Sequence, residues 1–365
     1  MIEQHFGESS PFSLGVEEEV MILDAETLAP APAVAVLVRE AEGLALPGTL
    51  KTELHASVVE LNTHVCATAA EALDALRELR AAADSIARAN GLRIAAAGAH
   101  PITRPEALPI VAEDRYVEMI DRIGKSARRQ GVNGLHVHVG VPSADACFQA
   151  LEGILQWLPL VLALSVNSPY LAGVETGLLS NRAVALAELP RSGAPPAFRS
   201  YADWEAWVER LVRLGVIGEY TQIWWDVRPH PRLGTIELRM PDQPTAVERT
   251  ASFVALAQAL VATALDEARA AFEPERRGDY QQNRWEALRQ GMAAELIHPD
   301  GDRAVAAAAL RNELLELIQP AARELGGADL LDLGEPEASR QLEVGRSRGL
   351  AALCEELVER TVSSP

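Results

Sequence analysis

The chain has 365 residues, 48% of them hydrophobic, enough to bury a large core, and a formal net charge of −19. A surface this acidic repels nucleic acid and anionic membranes, which excludes both as expected partners, though a local arginine cluster or a bound cation can still reverse the field inside one cleft. Three widely spaced cysteines, Cys66, Cys147 and Cys354, fit no zinc or CxxC pattern and read as buried small apolar residues of a protein from a reducing, cytoplasmic compartment.

The N-terminal MIEQHFGESSPF has neither a basic start nor an apolar stretch, so no signal peptide is expected. Strict alternation predicts a first strand over 13–23, SLGVEEEVMIL, with Glu17 and Glu19 on one face. Two carboxylates side by side repel each other. A hard divalent cation resolves that cost, and an acidic edge strand in water is the plainer alternative. A second strand is predicted over 52–62, TELHASVVELN, carrying Glu53, His55 and Glu60. Glu53 and Glu60 are seven residues apart and fall on opposite faces of an ideal strand, so one site needs a bulge or bend near 56–58.

A helix over 69–90 follows, with Leu73, Leu76, Leu79 and Ile86 near one face and Asn90-Gly91 as the stop. A short Ala-rich strand is predicted at 92–98. The strand at 133–141, NGLHVHVGV, turns Leu135, Val137, Val139 and Val141 one way and His136, His138 and Gly140 the other. Two histidines at i, i+2 serve metal sites and hydrogen-bonded structural pairs about equally. Helix patterns at 144–166, 203–214, 245–271, 280–297, 303–325 and 336–360 make the last third almost wholly helical. The apolar runs at 157–166 and 251–265 are short for a bilayer and read as buried helices. The PRSGAPP stretch at 190–196 reads as an ordered loop or lid.

Strands at 222–228 and 234–241 complete the set. The latter places Thr235, Glu237 and Arg239 on one face. They read either as a cross-strand ion pair or as a metal ligand beside a phosphate clamp. Arg228, His230, Arg232 and Arg239 form a local positive cluster suited to an anion. Unequal helical insertions between strands indicate an α+β fold: an antiparallel sheet with one wet, concave face and helices behind it.

In order, GVEEE, KTELHASVVELNTHVC, NGLHVHVG, NSPYLAGVETGLLSNR, DVRPHPRLGTIELRMPDQPT and QQNRWEALRQG resemble the carboxylate–amine ligases of glutamate–cysteine ligase type 2, a family related in fold to glutamine synthetase. The resemblance runs from about residue 12 to about 295. It implies a single catalytic domain over 1–365, with a sheet-bearing core at about 12–245 and a mostly helical part at 245–365. It implies Glu17, Glu19, Glu53, Glu60, His136 and Glu237 as ligands of two or three Mg2+ or Mn2+ ions. Arg232 and Arg239 would meet the phosphate of ATP, and His138, Arg228, Asn167, Ser180 and Arg182 would shape the ATP and substrate pocket. The implied reaction joins L-glutamate and L-cysteine through an acyl phosphate. Apolar helices leave room for a homodimer.

GxxxxGK[ST] and GxSxG are both absent, which argues against a P-loop nucleotide site and an α/β-hydrolase nucleophile. A metal-dependent amidohydrolase led by the HxH strand, a guanidino kinase, and a nucleotide or amino-acid sensor without turnover stay open beside the ligase reading.

Overall fold

The computed structural model describes residues 2–266 and 277–363. Seven strands build the main sheet: β1 (Leu14–Asp24), β2 (Gly48–Thr52), β3 (Val58–Thr63), β4 (Leu92–Ala95), β5 (Leu135–Gly140), β6 (Val227–His230) and β7 (Thr235–Leu238). They pair antiparallel in the order β6-β7-β5-β1-β3-β2. β4 joins β1 beside β5, because β1 is long enough to hold β5 along its first half and β4 along its second. The fold is thus α+β, with a central antiparallel sheet.

Alternation in β1 decides which side faces what. Val16, Glu18 and Val20 are buried, whereas Gly15, Glu17 and Glu19 are only partly covered. Behind the sheet lie the Ala69–Ala89 helix and the Val247–Asp266 helix, whose apolar residues share one core with Leu14, Val16, Leu135, Val137 and Val139. The Ala69–Ala89 helix starts where Thr68 accepts a bond from the Glu71 N–H at 3.2 Å and Glu71 reaches back to the Ala67 N–H at 2.7 Å.

Several predicted elements are divided. The expected 52–62 strand is two strands, β2 and β3, joined by a turn at 53–57 that is stitched to the 108–111 segment through Ala56 N–H to Pro109 O and Val111 N–H to Leu54 O. The expected 144–166 helix bends by 62° between Ala144–Leu155 and Leu158–Ser165, with Pro159 in the first turn of the second piece, where a missing N–H costs nothing. The 336–360 helix breaks at Gly349, whose φ is +85°. Residues 295–306 contribute a small hairpin, Glu295–Ile297 with Ala304–Ala306, where helix was expected. The end of the expected 245–271 helix, from 267, lies outside the described residues. The helices Val34–Ala41 and Asp114–Ile123 were not foreseen. Of the 190–196 loop, Ser192–Gly193 pairs with Trp224–Trp225 as a short parallel ladder. All three cysteines are unpaired and buried. Among the described residues no single helix is long and apolar enough to cross a membrane.

Candidate active site

Register converts the sequence pattern into a site. Glu17 stands opposite His136, Glu19 opposite Glu60, and His138 opposite Glu237. Glu53, at the start of the β2–β3 turn, adds a fifth carboxylate to the same face, beside Glu19 and Glu60. No bulge is needed, because a hairpin reverses the chain between the two acids. The ligand atoms fall into three overlapping groups, each within 4.8 Å: Glu17, His138 and Glu237; Glu17, Glu60 and His136; Glu19, Glu53 and Glu60.

The histidines are held by their neighbours. His136 Nδ1 lies 3.1 Å from Glu17 Oε2. His138 Nδ1 lies 3.0 Å from Thr235 Oγ1, which leaves Nε2 aimed between Glu17 Oε1 at 3.5 Å and Glu237 Oε1 at 4.0 Å. That buried Nε2 makes no hydrogen bond. A buried ring nitrogen without a hydrogen-bond partner, set among carboxylate oxygens, is the kind of donor set that a divalent cation would complete.

Electrostatics divide the acids into two classes. Burial, reinforced by the Glu53 charge, pushes the Glu19 carboxyl up to about 7. Burial, then the charges of Glu17, Glu53 and Glu19, hold Glu60 well above the usual carboxylate range, and burial raises Glu53 as well. Glu17 and Glu237 go the other way. Burial opposes their ionisation, but the hydrogen bond with His136 and the nearby His138 imidazole hold Glu17 well below the usual range, and Arg228 and Arg239 do the same for Glu237. Burial and the Arg239 charge lower His136 to about 4, so its imidazole is neutral at physiological pH.

Glu237 is gripped from both sides. Arg228 meets it through Nε at 2.5 Å and Nη2 at 3.2 Å, and Arg239 Nη1 closes on Oε1. Arg228 is itself fixed by the carbonyls of Thr221 and Ile223, both at 2.8 Å. Arg182 props the end of β7 through the carbonyls of Met240 at 3.1 Å and Arg239 at 3.0 Å.

These groups border a cavity of about 260 Å3. Glu17, Glu19, Glu53, Glu60 and His136 line its floor, and Arg182, Arg228 and Arg239 flank them. Its outer part is formed by Tyr116 and Met119 of the Asp114–Ile123 helix, with Gln130, Val132, Leu186, Leu189 and Trp224. None of these outer residues stood out in the sequence, because single apolar positions on separate segments carry no pattern.

Residues 13–347 match the family described as glutamate-cysteine ligase family 2. The chain belongs to that family. This ligase is 42% identical over 346 residues to a Rubrobacter xylanophilus protein named as a glutamate–cysteine ligase 2-3, covering 95% of this chain and 92% of the other. It is 34% identical over 361 residues to a Herpetosiphon aurantiacus protein named as a glutamate–cysteine ligase 2, covering 96% and 94%. Two solved structures share its fold. Glutamate–cysteine ligase of Francisella tularensis, in complex with AMP, superposes with a TM-score of 0.68 at 15% identity, covering 98% of this chain and 90% of that one. A bifunctional glutathione synthetase from Pasteurella multocida gives 0.66 at 17%, covering 96% and 52%. Family membership makes the chain an ATP-dependent ligase that forms carbon–nitrogen bonds, and sets the amidohydrolase reading aside.

Three expected site residues, Arg232 for the phosphate and Asn167 and Ser180 for the pocket, stand elsewhere in this ligase. Arg232 is half exposed on the turn after β6, pairs with Glu219 at 3.0 Å and lies 5.6 Å over the Tyr220 ring, outside the cavity lining. The short turn Pro231–Leu233 carries it off the polar face that Arg228 and Arg239 share. Asn167 and Ser180 are buried behind the site, both bonded to Asp242: Asn167 through its N–H at 2.9 Å and Ser180 through Oγ at 2.7 Å. Asp242, in the MPDQPT stretch after β7, was not singled out; its role as a hub depends on partners at 167, 168 and 180 that no local pattern reveals.

Proposed function

We propose that this ligase uses ATP to activate the side-chain carboxylate of glutamate as an acyl phosphate, which the amine of cysteine then captures as an amide. The reading rests on one observation above others: acids and histidines from β1, β3, β5, β7 and the β2–β3 turn converge in three overlapping ligand groups beside two arginines. Glu17, Glu19, Glu53, Glu60, His136, His138 and Glu237 would hold Mg2+ or Mn2+. Oxygen-rich, multiply charged groups suit several hard cations better than one zinc. Bound there, such cations would screen the triphosphate and the substrate carboxylate from each other.

The chain's own residues supply the rest. Arg239 and Arg228 set fixed positive charge where the transferring phosphoryl group spreads its negative charge. Both are buried and already oriented by Glu237, so little reorganisation is needed. The substrate carboxylate oxygen attacks the γ-phosphorus and ADP departs. The amine nitrogen then attacks the acyl carbon and inorganic phosphate departs. The acidic floor draws the ammonium group of the amine toward that carbon, and its proton passes to a floor carboxylate or to water before the neutral nitrogen attacks.

A coupled ADP-release assay with glutamate, cysteine and Mg2+ or Mn2+, with product mass read in parallel, tests this. ADP, phosphate and γ-glutamylcysteine are expected in equal amounts. Binding of ATP without phosphate release across a broad amino-acid panel would instead identify a sensor.

A further inference from the structure

The QQNRWEALRQG stretch at 281–291 carries part of the family resemblance, yet none of its residues lines the cavity. It forms most of the Arg277–Gln290 helix, whose buried positions, Tyr280, Asn283, Arg284, Ala287 and Leu288, fall on one face. A guanidinium is costly to bury unless it is paired, so the partners of Arg284 are informative.

Arg284 joins two segments that are far apart in the chain. Its Nε donates to Asp226 Oδ2 at 2.9 Å, and its Nη2 donates to Ala183 O at 2.9 Å. The Tyr280 hydroxyl donates to the same Asp226 oxygen at 2.6 Å. Further along the helix, Leu288 O accepts from the Leu179 and Ser180 N–H groups at 2.8 and 3.1 Å, where the Asn181–Ala187 helix begins. Both gripped segments lead to Arg239. Asp226 O accepts the Arg239 N–H at 2.9 Å. Arg182, next to Ala183, donates from Nη2 to Arg239 O at 3.0 Å. The backbone of Arg239 is therefore held at its amide and at its carbonyl, and one buried guanidinium stands behind both supports.

Resting on the ligase reading, in which Arg239 meets the transferring phosphoryl group, we propose that Arg284 is a positioning residue: by joining Asp226 to Ala183 it fixes the backbone from which Arg239 reaches the cavity. A helix of the C-terminal part thus sets the aim of an arginine that follows β7. Transition-state stabilisation depends on charge already in place, and a misplacement of about 1 Å can cost about 10²-fold in rate. The planar fork of arginine is what spans both partners. Arg284→Lys keeps a charge for Asp226 and loses the fork.

The test measures ADP release with Mg–ATP, glutamate and cysteine for Arg284→Lys, Arg239→Ala and the double variant. Arg284→Lys is expected to lower kcat about tenfold or more while the KM for ATP changes less than about twofold, as loss of an interaction made only in the transition state does. In the Arg239→Ala background the same change should lower kcat less than about twofold, because the residue it aims is gone. Tyr280→Phe leaves the ion pair intact and serves where Arg284→Lys does not fold; it should lower kcat about threefold, again only with Arg239 present. An unchanged kcat in Arg284→Lys, a loss confined to KM, or an equal loss with and without Arg239 would make Arg284 a structural ion pair and overturn the inference, with the ligase reading intact. No ADP release by the wild type overturns both.

Discussion

On the helix side of β1, Glu18 is fully buried and fully matched: Arg80 meets it through Nε at 2.7 Å and Nη2 at 2.6 Å, and Gln243 Nε2 and Thr250 Oγ1 complete its shell at 2.9 and 2.5 Å. One residue to either side, Glu17 and Glu19 face the cavity, where four carboxylates share one floor with too few partners. The same side chain on the same strand therefore does two jobs. Behind the sheet the Glu18 charge is neutralised by protein and the strand is anchored. In front, charge is left in excess, and the fold tolerates it because the rear anchor holds the strand in place. Stability and function are separated by the thickness of one sheet.

The largest effect that would sharpen this contrast is in turnover. Arg239→Ala should lower ADP formation by about 10²- to 10³-fold, as removal of a preorganised charge does, while the circular-dichroism melt stays close to wild type because Arg228 still pairs with Glu237. Unchanged turnover would remove Arg239 from the reaction. Next comes Glu18→Ala, which strands Arg80 in the core and should cost about 3–5 kcal/mol in urea unfolding. A loss under about 1 kcal/mol would erase the distinction between the two faces.

The front face should respond to pH in the opposite sense to a well-paired acid. Glu19 at about 7, with Glu53 and Glu60 also raised, lies above the ordinary carboxyl value of 4.5. Stability from such groups is complete below 4.5 and is lost as pH rises through the folded values. His136, lowered to about 4, acts in the other direction, but only below the ordinary imidazole value of 6.5. In EDTA, therefore, stability should fall between about pH 6.5 and 8. Mn2+ should restore it, and Glu60→Gln should flatten the slope and stabilise the metal-free protein at pH 8 by on the order of 1 kcal/mol. A slope unaltered by Glu60→Gln would show that the acids do not repel. The smallest effect is expected at Arg232, which belongs to neither face: Arg232→Ala should shift stability by less than about 1 kcal/mol, as exposed ion pairs do, with ADP formation near wild type.

Much of the front face was legible because period-two alternation is rigid: once 13–23 and 133–141 read as strands, Glu17 with Glu19 and His136 with His138 had to share faces. Glu53 was harder. The stretch TELHASVVELN holds no Gly or Pro to mark a turn, and its reversal is imposed by the distant 108–111 segment. Glu18 was invisible for a different reason. The middle of three glutamates looks solvated until Arg80, 62 residues away, is brought beneath it. The ordered motifs placed Asn167 and Ser180 near the site but could not reveal that both are bonded to Asp242. Arg232 misled because the charge-rich stretch before β7 looks continuous, whereas the chain turns at Pro231.

Arg80 has one more commitment: its Nη1 donates to the carbonyl of Thr361 at 3.2 Å, and the Thr361 hydroxyl accepts from the Ala96 N–H at 2.8 Å. The support under a strand that begins at Leu14 is thus completed by residues made almost 350 positions later. During synthesis the ribosome must deliver the Leu350–Val362 helix before that support closes. Until that helix docks, β1 keeps its Glu18–Arg80 pair without the last of the carbonyls that hold Arg80 in place.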